Sequence, residues 1–379
     1  MHEDKTLFFR QNLLKWFATN HRPMPWKGVR DPYIIWLSEI ILQQTTVAQG
    51  TSYFEKFCER YPSVTDLAQA PSDEVMKLWE GLGYYSRARN LHATAKYITD
   101  DLKGLFPNTY EDILKLKGIG PYTAAAIAAF AYDLPHAVLD GNVYRVLSRF
   151  FGIETPIDTT EAKHIFTELA HSVLDPKRPA DFNQAIMDFG ATHCTPSNPK
   201  CGQCPLQAKC SAFLDNKVSI LPIKSKKLVR KTRFFNYLVV HEGDLVFIRK
   251  RLEKDIWHDL YEFPLIETDD LIDTLLSEHF LKQDNDRLDF PFDFNELRFI
   301  KKSQPYQQLL THQKIIATFC VFEHSKTNKI LRGGNFIKIE YEQLRNYAFP
   351  KVIDIYLKDK VHMAKKQISK FSELSLSLN

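Results

Sequence analysis

Four of the chain's six cysteines fall within seventeen residues, as Cys194-x6-Cys201-x2-Cys204-x5-Cys210, while Cys58 and Cys320 stand apart. Thiolates so spaced can close around one metal centre, which obliges this loop to fold back on itself whatever the rest of the chain does. The opening Met1-His2-Glu3-Asp4-Lys5 carries acid charge and precedes no uninterrupted apolar run, which predicts no secretory signal and a cytosolic location. Disulfides are disfavoured there, leaving structural zinc or an iron–sulfur cluster. Zinc ribbons usually carry two Cys-x-x-Cys pairs on separate knuckles, whereas this run has one pair flanked by single cysteines. The pattern favours [4Fe–4S]. Four unliganded thiols in this Pro-, Asn- and Lys-rich loop would be reactive liabilities.

The 379 residues, 44% of them hydrophobic, suffice for two domains of ordinary size. From Leu7 to about residue 215 apolar residues recur at helical spacing, broken at Pro62, Pro71, Pro107, Gly118 and Pro156, which predicts an all-α region. Residues 235–240, 245–248 and 315–322 are β-rich runs, predicting a smaller α+β domain. Between the two textures, residues 224–233 carry six basic and no acidic side chains, more than the whole-chain excess of +4. Such a run suits a solvated linker and a phosphate-facing segment equally. The boundaries read 1–220 for the helical domain with its loop at 194–210, 221–233 for the linker, 234–360 for the second domain and 361–379 for a polar tail. The longest apolar stretch, Tyr122 to Tyr132, is too short for a bilayer span of roughly 20 residues.

The six, two and five residues between the cysteines resemble the cluster loop of the endonuclease III superfamily, where the cluster is a structural and DNA-positioning element. Leu114 to Ala124 sets Gly118 and Gly120 one residue apart between helical segments. Such a turn frees amide N–H groups at a helix start for a phosphate oxygen, although Gly-x-Gly alone also marks ordinary helix joints. Here it resembles the superfamily's helix-hairpin-helix. Bifunctional members carry a lysine nucleophile just after the hairpin; this chain has Tyr122, and a phenol cannot form the imine that cleaves the strand. In the MutY family, which this chain resembles most, the tyrosine lies against the reacting sugar. On local sequence it could simply pack over the hairpin.

Breaking an N-glycosidic bond calls for protonation of the leaving group and stabilisation of a sugar cation, a division of labour familiar from paired carboxyls. Glu39 lies in Ile34 to Thr45, so apolar a helical run that burial should raise its pKa toward neutrality, as a general acid requires. A buried acid paired with an arginine is the alternative. Asp140, in Val138-Leu139-Asp140-Gly141-Asn142-Val143, reads locally as an N-cap. The segment nevertheless resembles the family's Leu-Asp-Gly-Asn-Val motif. The resemblance implies that Asp140 stays ionised facing the sugar, Asn142 supports it, and Glu39 protonates adenine and later handles the proton of the incoming water.

An adenine inside a duplex must be extruded before it can react. Gln43, Gln44 and Thr45, with the run Gly81 to Leu91, match MutY-family signatures, and the resemblance implies that Gln44 and Tyr84 enter the DNA near the orphaned base. Pro25-Trp26-Lys27 resembles the family's Pro-Trp-Arg entrance with lysine in place of arginine, and Gln184 falls where the family lines its adenine pocket. Trp257 to Pro264 resembles the Trp-x-x-Leu-Tyr-Glu-Phe-Pro segment of the family's Nudix-like 8-oxoguanine domain. Leu310-Thr311-His312 corresponds to its Phe-Ser-His loop, which makes Thr311 and His312 lesion contacts by resemblance. A hydroxyl and an imidazole on a strand entry also have purely structural uses. The Nudix metal-binding run is missing from the sequence, so this domain is not expected to hydrolyse nucleotides.

The resemblance therefore implies an all-α N-terminal helix-hairpin-helix glycosylase domain with an iron–sulfur loop, plus a C-terminal α+β Nudix-like domain. It implies a monofunctional enzyme with a [4Fe–4S] cluster that acts, as a monomer, on double-stranded DNA holding A:8-oxoguanine or A:G mispairs. It would work in a bacterial cytoplasm, at the nucleoid when bound to DNA and not at a membrane. An endonuclease III-like lyase would want lysine at position 122 and no second domain. A thymine-mismatch glycosylase would lack the Nudix-like segment, and a damage sensor without catalysis would not need Glu39.

Overall fold

The computed structural model describes residues 2–225, 229–270, 292, 296–324 and 335–359. The middle of the basic linker and the tail from 361 lie outside these residues. Twelve α-helices lie between residues 2 and 214: α1 His2–Asn20, α2 Pro32–Leu42, α3 Val47–Arg60, α4 Val64–Gln69, α5 Ser72–Leu78, α6 Ser86–Asp100, α7 Tyr110–Leu114, α8 Pro121–Tyr132, α9 Gly141–Phe151, α10 Thr160–Val173, α11 Pro179–Thr192 and α12 Ser211–Leu214; residues 351–359 are also helical. No described helix is long and apolar enough to cross a membrane.

Two compact units emerge, residues 1–70 with 87–227, and residues 71–86 with 228–379. The assignment of 71–86 departs from a division by texture, which leaves these residues in the helical part. Its cause is hydrogen bonding: Lys77 Nζ donates to the Tyr347 carbonyl (2.8 Å), the Phe349 N–H to Glu80 (2.9 Å) and the Tyr261 hydroxyl to Asp73 (2.9 Å).

The helical unit is built on a core of Phe9, Leu13, Phe150, Phe166, Phe182 and Phe189, contributed by α1, α9, α10 and α11. Each such side chain, withdrawn from water, contributes roughly 1.5–3 kcal/mol. Helix α2 begins at an Asp31 N-cap whose carboxylate accepts the Tyr33 N–H at 2.8 Å, with Pro32 pre-set in the first turn. Eight of its eleven residues are buried, so it is an interior helix. It packs on α8, whose alanines let the two backbones approach closely. At the far end of α2, Arg87 donates to the carbonyls of Ile40, Ile41 and Gln43 at 2.6–3.1 Å, satisfying acceptors that a helix terminus leaves open.

The predicted hairpin is α7, a turn and α8. Gly118 has φ +82°, and a Cβ there would sit 2.6 Å from Asn90 Cβ, so both backbone and space demand glycine. Gly120, by contrast, is the extended N-cap of α8 with no side-chain cap and open space around it.

The second unit carries a mixed sheet of eight strands: β1 Lys231–Glu242, β2 Leu245–Lys250, β3 Tyr261–Glu262, β4 Leu265–Thr268, β5 Leu297–Lys302, β6 Tyr306–Leu309, β7 Gln313–His324 and β8 Phe336–Glu340. The main path runs β3-β2-β1-β7-β5, with β4 on β1, β6 on β7 and β8 on β2. Strands β1 and β7 are parallel from Lys231↔Gln313 to His241↔Glu323; the other pairs are antiparallel. The segment 257–264 is built into the core: Trp257, Leu260 and Phe263 are buried, and Glu262, fully buried, is held by Arg251 at 2.6 Å and Arg249 at 2.8 Å. Lone Cys320 is a buried residue of β7.

Gly118→Ala should destabilise the protein by about 1–3 kcal/mol, because the new methyl meets both a left-handed backbone and Asn90. Gly120→Ser should stay within about 1 kcal/mol of the parent, since serine supplies the missing cap. Urea unfolding of the two variants checks the contrast.

Candidate active site

A cavity of about 740 Å³ opens in the helical unit, and eight residues named from the sequence line it: Trp26, Lys27, Glu39, Thr45, Tyr122, Asp140, Asn142 and Gln184. They come from α2, α8, the start of α9, α11 and the two loops flanking α2. The volume lies in the ordinary range for a small-molecule pocket.

Glu39 projects from buried α2 with 7% of its surface exposed. Burial pushes its carboxyl up to about 7, a hydrogen bond with Tyr122 acts against that rise, and the nearby charge of Asp140 adds to it. The partner is therefore a phenol and not the arginine that a purely structural acid would want. Tyr122, one residue past the Pro121 that opens α8, has its hydroxyl pKa driven well above the ordinary value by burial and by the two carboxylates.

Asp140 has the helix-cap geometry that its local sequence suggested, and it also faces the cavity. It is the N-cap of α9, with Oδ1 accepting the Val143 N–H at 2.8 Å, and it lines the cavity beside Glu39. Burial raises its pKa; the bonds from Val143 and Asn142, and the charge of Arg145, resist. Asn142 Nδ2 donates to Asp140 Oδ2 at 2.7 Å, and Asn142 Oδ1 accepts from Arg145 at 2.9 Å.

Gln43 donates to Thr123 on α8 (3.3 Å), while Gln44 is exposed with φ +56°. In the other unit Tyr84 is 49% exposed with φ +47°, and its hydroxyl lies 2.6 Å from Thr311 Oγ1. Both residues expected to enter DNA thus occupy a left-handed backbone that costs non-glycine residues energy, a feature that concentrates at functional sites. His312 is exposed, and its carbonyl accepts the Lys231 N–H at 3.0 Å.

Sequence reasoning missed Asp188. Its side chain is 3% exposed and lines the same cavity. Oδ2 accepts Lys27 Nζ at 2.6 Å and the Arg22 N–H at 3.4 Å, and Oδ1 accepts Gln184 Nε2 at 3.3 Å. Its spacing of four from Gln184, one turn along the same face of α11, was the available signal.

Cys194, Cys201, Cys204 and Cys210 are partly buried free thiols around two 3-10 turns, Cys201–Gln203 and Gln207–Lys209. Among the described residues no three His, Cys, Asp or Glu side chains gather as a single-ion site. Arg149 donates to Cys194 Sγ at 3.4 Å, and Arg145 Nε to the Cys194 carbonyl at 2.8 Å. Burial pushes the Cys204 thiol up to about 12, so a metal, more than solvent, would be needed to hold it as thiolate. Guanidinium donors on the Cys194 sulfur and carbonyl suit a loop that holds a group carrying negative charge.

Residues 37–171 match the HhH-GPD superfamily of base excision DNA repair proteins, and residues 194–210 match the iron–sulfur binding domain of endonuclease III. The adenine DNA glycosylase of Buchnera aphidicola subsp. Baizongia pistaciae is 39% identical over 262 residues, 68% of this chain and 74% of that protein. The chain belongs to the adenine DNA glycosylase family. The mouse member is 44% identical over 214 residues, which are 54% of this chain and 42% of the mouse protein. A thermostable thymine-DNA glycosylase superposes with a TM-score of 0.53 at 32% identity, covering 98% of its own length but 56% of this chain. Endonuclease III in a DNA complex superposes at 0.50 with 21% identity and 57% of this chain, a likeness of fold. The protein is a DNA glycosylase, an enzyme that hydrolyses N-glycosidic bonds in DNA, and its cofactor is an iron–sulfur cluster of the [4Fe–4S] kind.

The stability linkage of Glu39 has a definite sign. Its carboxyl titrates near 7 in the fold against an ordinary 4.5, so between these values the folded protein holds a proton the unfolded chain has released. The residue's contribution is full below the lower value and is lost as pH rises through the upper one. Relative to Glu39→Gln, the parent should lose on the order of 3 kcal/mol between about pH 4 and about pH 8. Urea midpoints of both proteins across that range measure the difference.

Proposed function

We propose that this enzyme excises adenine mispaired with 8-oxoguanine, or with guanine, from double-stranded DNA, and stops at base removal. The observation that carries the reading is a carboxyl titrating near 7 beside a second carboxylate, in a cavity large enough to take an extruded base, in a member of the adenine DNA glycosylase family.

Glu39, about half protonated at neutral pH, delivers its proton to a ring nitrogen of adenine, turning a poor leaving group into a neutral one. Asp140, held by the Val143 N–H, Asn142 and the charge of Arg145, faces the sugar and stabilises the cation that develops as the bond breaks. Tyr122 bonds to Glu39 and bounds the sugar side of the site. Glu39, now ionised, accepts a proton from the incoming water. With tyrosine at position 122 no imine forms there, so strand cleavage should be weak or absent.

Cys194, Cys201, Cys204 and Cys210 hold the cluster, which when bound braces the loop against DNA. Gly118 and Gly120 present backbone N–H groups to phosphate, with Gln43, Gln44 and Thr45 beside the orphaned base. The mixed-sheet unit serves as a Nudix-like 8-oxoguanine reader, with Tyr84, Thr311 and His312 at the lesion. The Tyr84–Thr311 hydroxyl contact and the strained backbone of Tyr84 support that placement.

Single-turnover assays on A:8-oxoguanine, A:G and T:G duplexes test the substrate: adenine should leave from the first two, and preferential release of thymine would reject the reading. Glu39→Gln should lose excision while keeping duplex affinity. In the parent the rate should fall about tenfold per pH unit above roughly 7, as the acid form is depleted. Metal analysis should find iron and sulfide; one zinc and no sulfide would overturn the cluster. Thr311→Val should narrow the preference for A:8-oxoguanine over A:G more than it slows cleavage of A:G.

A further inference from the structure

The catalytic account leaves Asp188 unused, although it is one of the most deeply buried charged side chains in the cavity wall. Three donors converge on it from two elements: Lys27 and the Arg22 N–H from the loop before α2, and Gln184 from one turn earlier on α11. Lys27, with 14% of its side chain exposed, keeps a charged partner against Asp188 where its ammonium would otherwise be stranded.

The consequence falls on Gln184. A carboxylate paired with lysine is an acceptor only, whereas a glutamine amide carries an acceptor at one end and a donor at the other. Turned over, Gln184 would set its carbonyl oxygen against Asp188 Oδ1, oxygen to oxygen. With Nε2 committed to Asp188, the amide has its carbonyl oxygen left to offer a ligand in the cavity it lines.

We propose that Asp188 is a positioning residue that fixes the amide of Gln184 with its oxygen toward the bound base, so that the pocket selects a base bearing an exocyclic amine over one bearing a carbonyl at the same position. This rests on the adenine reading given above and names what in the protein enforces it. An amine donates to that oxygen; a carbonyl meets it lone pair to lone pair and leaves both unsatisfied in a buried site, the situation that gives polar pockets their discrimination.

The test compares three duplexes that differ only in the base opposite 8-oxoguanine: adenine, hypoxanthine with a carbonyl at C6, and unsubstituted purine with hydrogen there. In Asp188→Asn, a near-isosteric change, residue 188 can donate as well as accept and Gln184 is free to turn. The adenine-to-hypoxanthine ratio of single-turnover rates should then fall by about tenfold or more, with the purine rate changing least. Adding Gln184→Glu in the Asp188→Asn background restores an acceptor-only group facing the base and should recover the ratio. If Asp188 acts only by supporting the fold, all three rates fall by a common factor and the double variant recovers nothing, which overturns the assignment. A parent enzyme that leaves adenine in place opposite 8-oxoguanine overturns the substrate reading and this proposal with it. An active parent whose ratio is untouched by Asp188→Asn overturns this proposal alone.

Discussion

The proposed catalytic arrangement depends on one ionisable group in the wrong solvent. Glu39 sits in a helix buried nearly all round, and the alanines of α8 let that helix come close enough for Tyr122 to reach it. Water would hold this carboxyl ionised at neutral pH; the apolar surroundings raise it to about 7, where it can give up a proton and take one back. In the proposed mechanism Asp140 carries charge nearby, and α9 supports that charge by turning the Val143 N–H and the Asn142 side chain onto it.

The cysteine loop connects to this centre through Arg145. Its guanidinium reaches the Cys194 and Gly190 carbonyls and Asn142 Oδ1, and Asn142 in turn holds Asp140. Folding of the loop and orientation of Asp140 therefore share one buried cation. A fixed network of this kind costs little reorganisation during the reaction, because its dipoles are aimed before substrate arrives.

In the second unit the same economy of buried charge appears for a different end. Glu262 is enclosed between Arg249 and Arg251, anchoring the segment that carries Trp257 and Phe263 into the core, while Tyr84 and Thr311 remain at the surface. The family-like motif at 257–264 is thus architectural, and the residues expected to meet the lesion lie elsewhere in the unit. Residues 71–86 carry α5 and follow helical neighbours, yet Asp73, Lys77 and Glu80 bond to groups more than 180 residues away.

Chain order alone determined the cysteine spacing, the acid in an apolar helix, tyrosine in place of lysine after the hairpin, and the change from helical to strand periodicity. These are local properties, set by which residues stand three, four or two apart. Only the tertiary structure decided that Glu39 meets Tyr122, that Asp140 is both helix cap and cavity wall, and that Asp188 meets Lys27. Those pairings join residues as many as 161 positions apart, and no periodicity encodes a contact made by packing one helix on another.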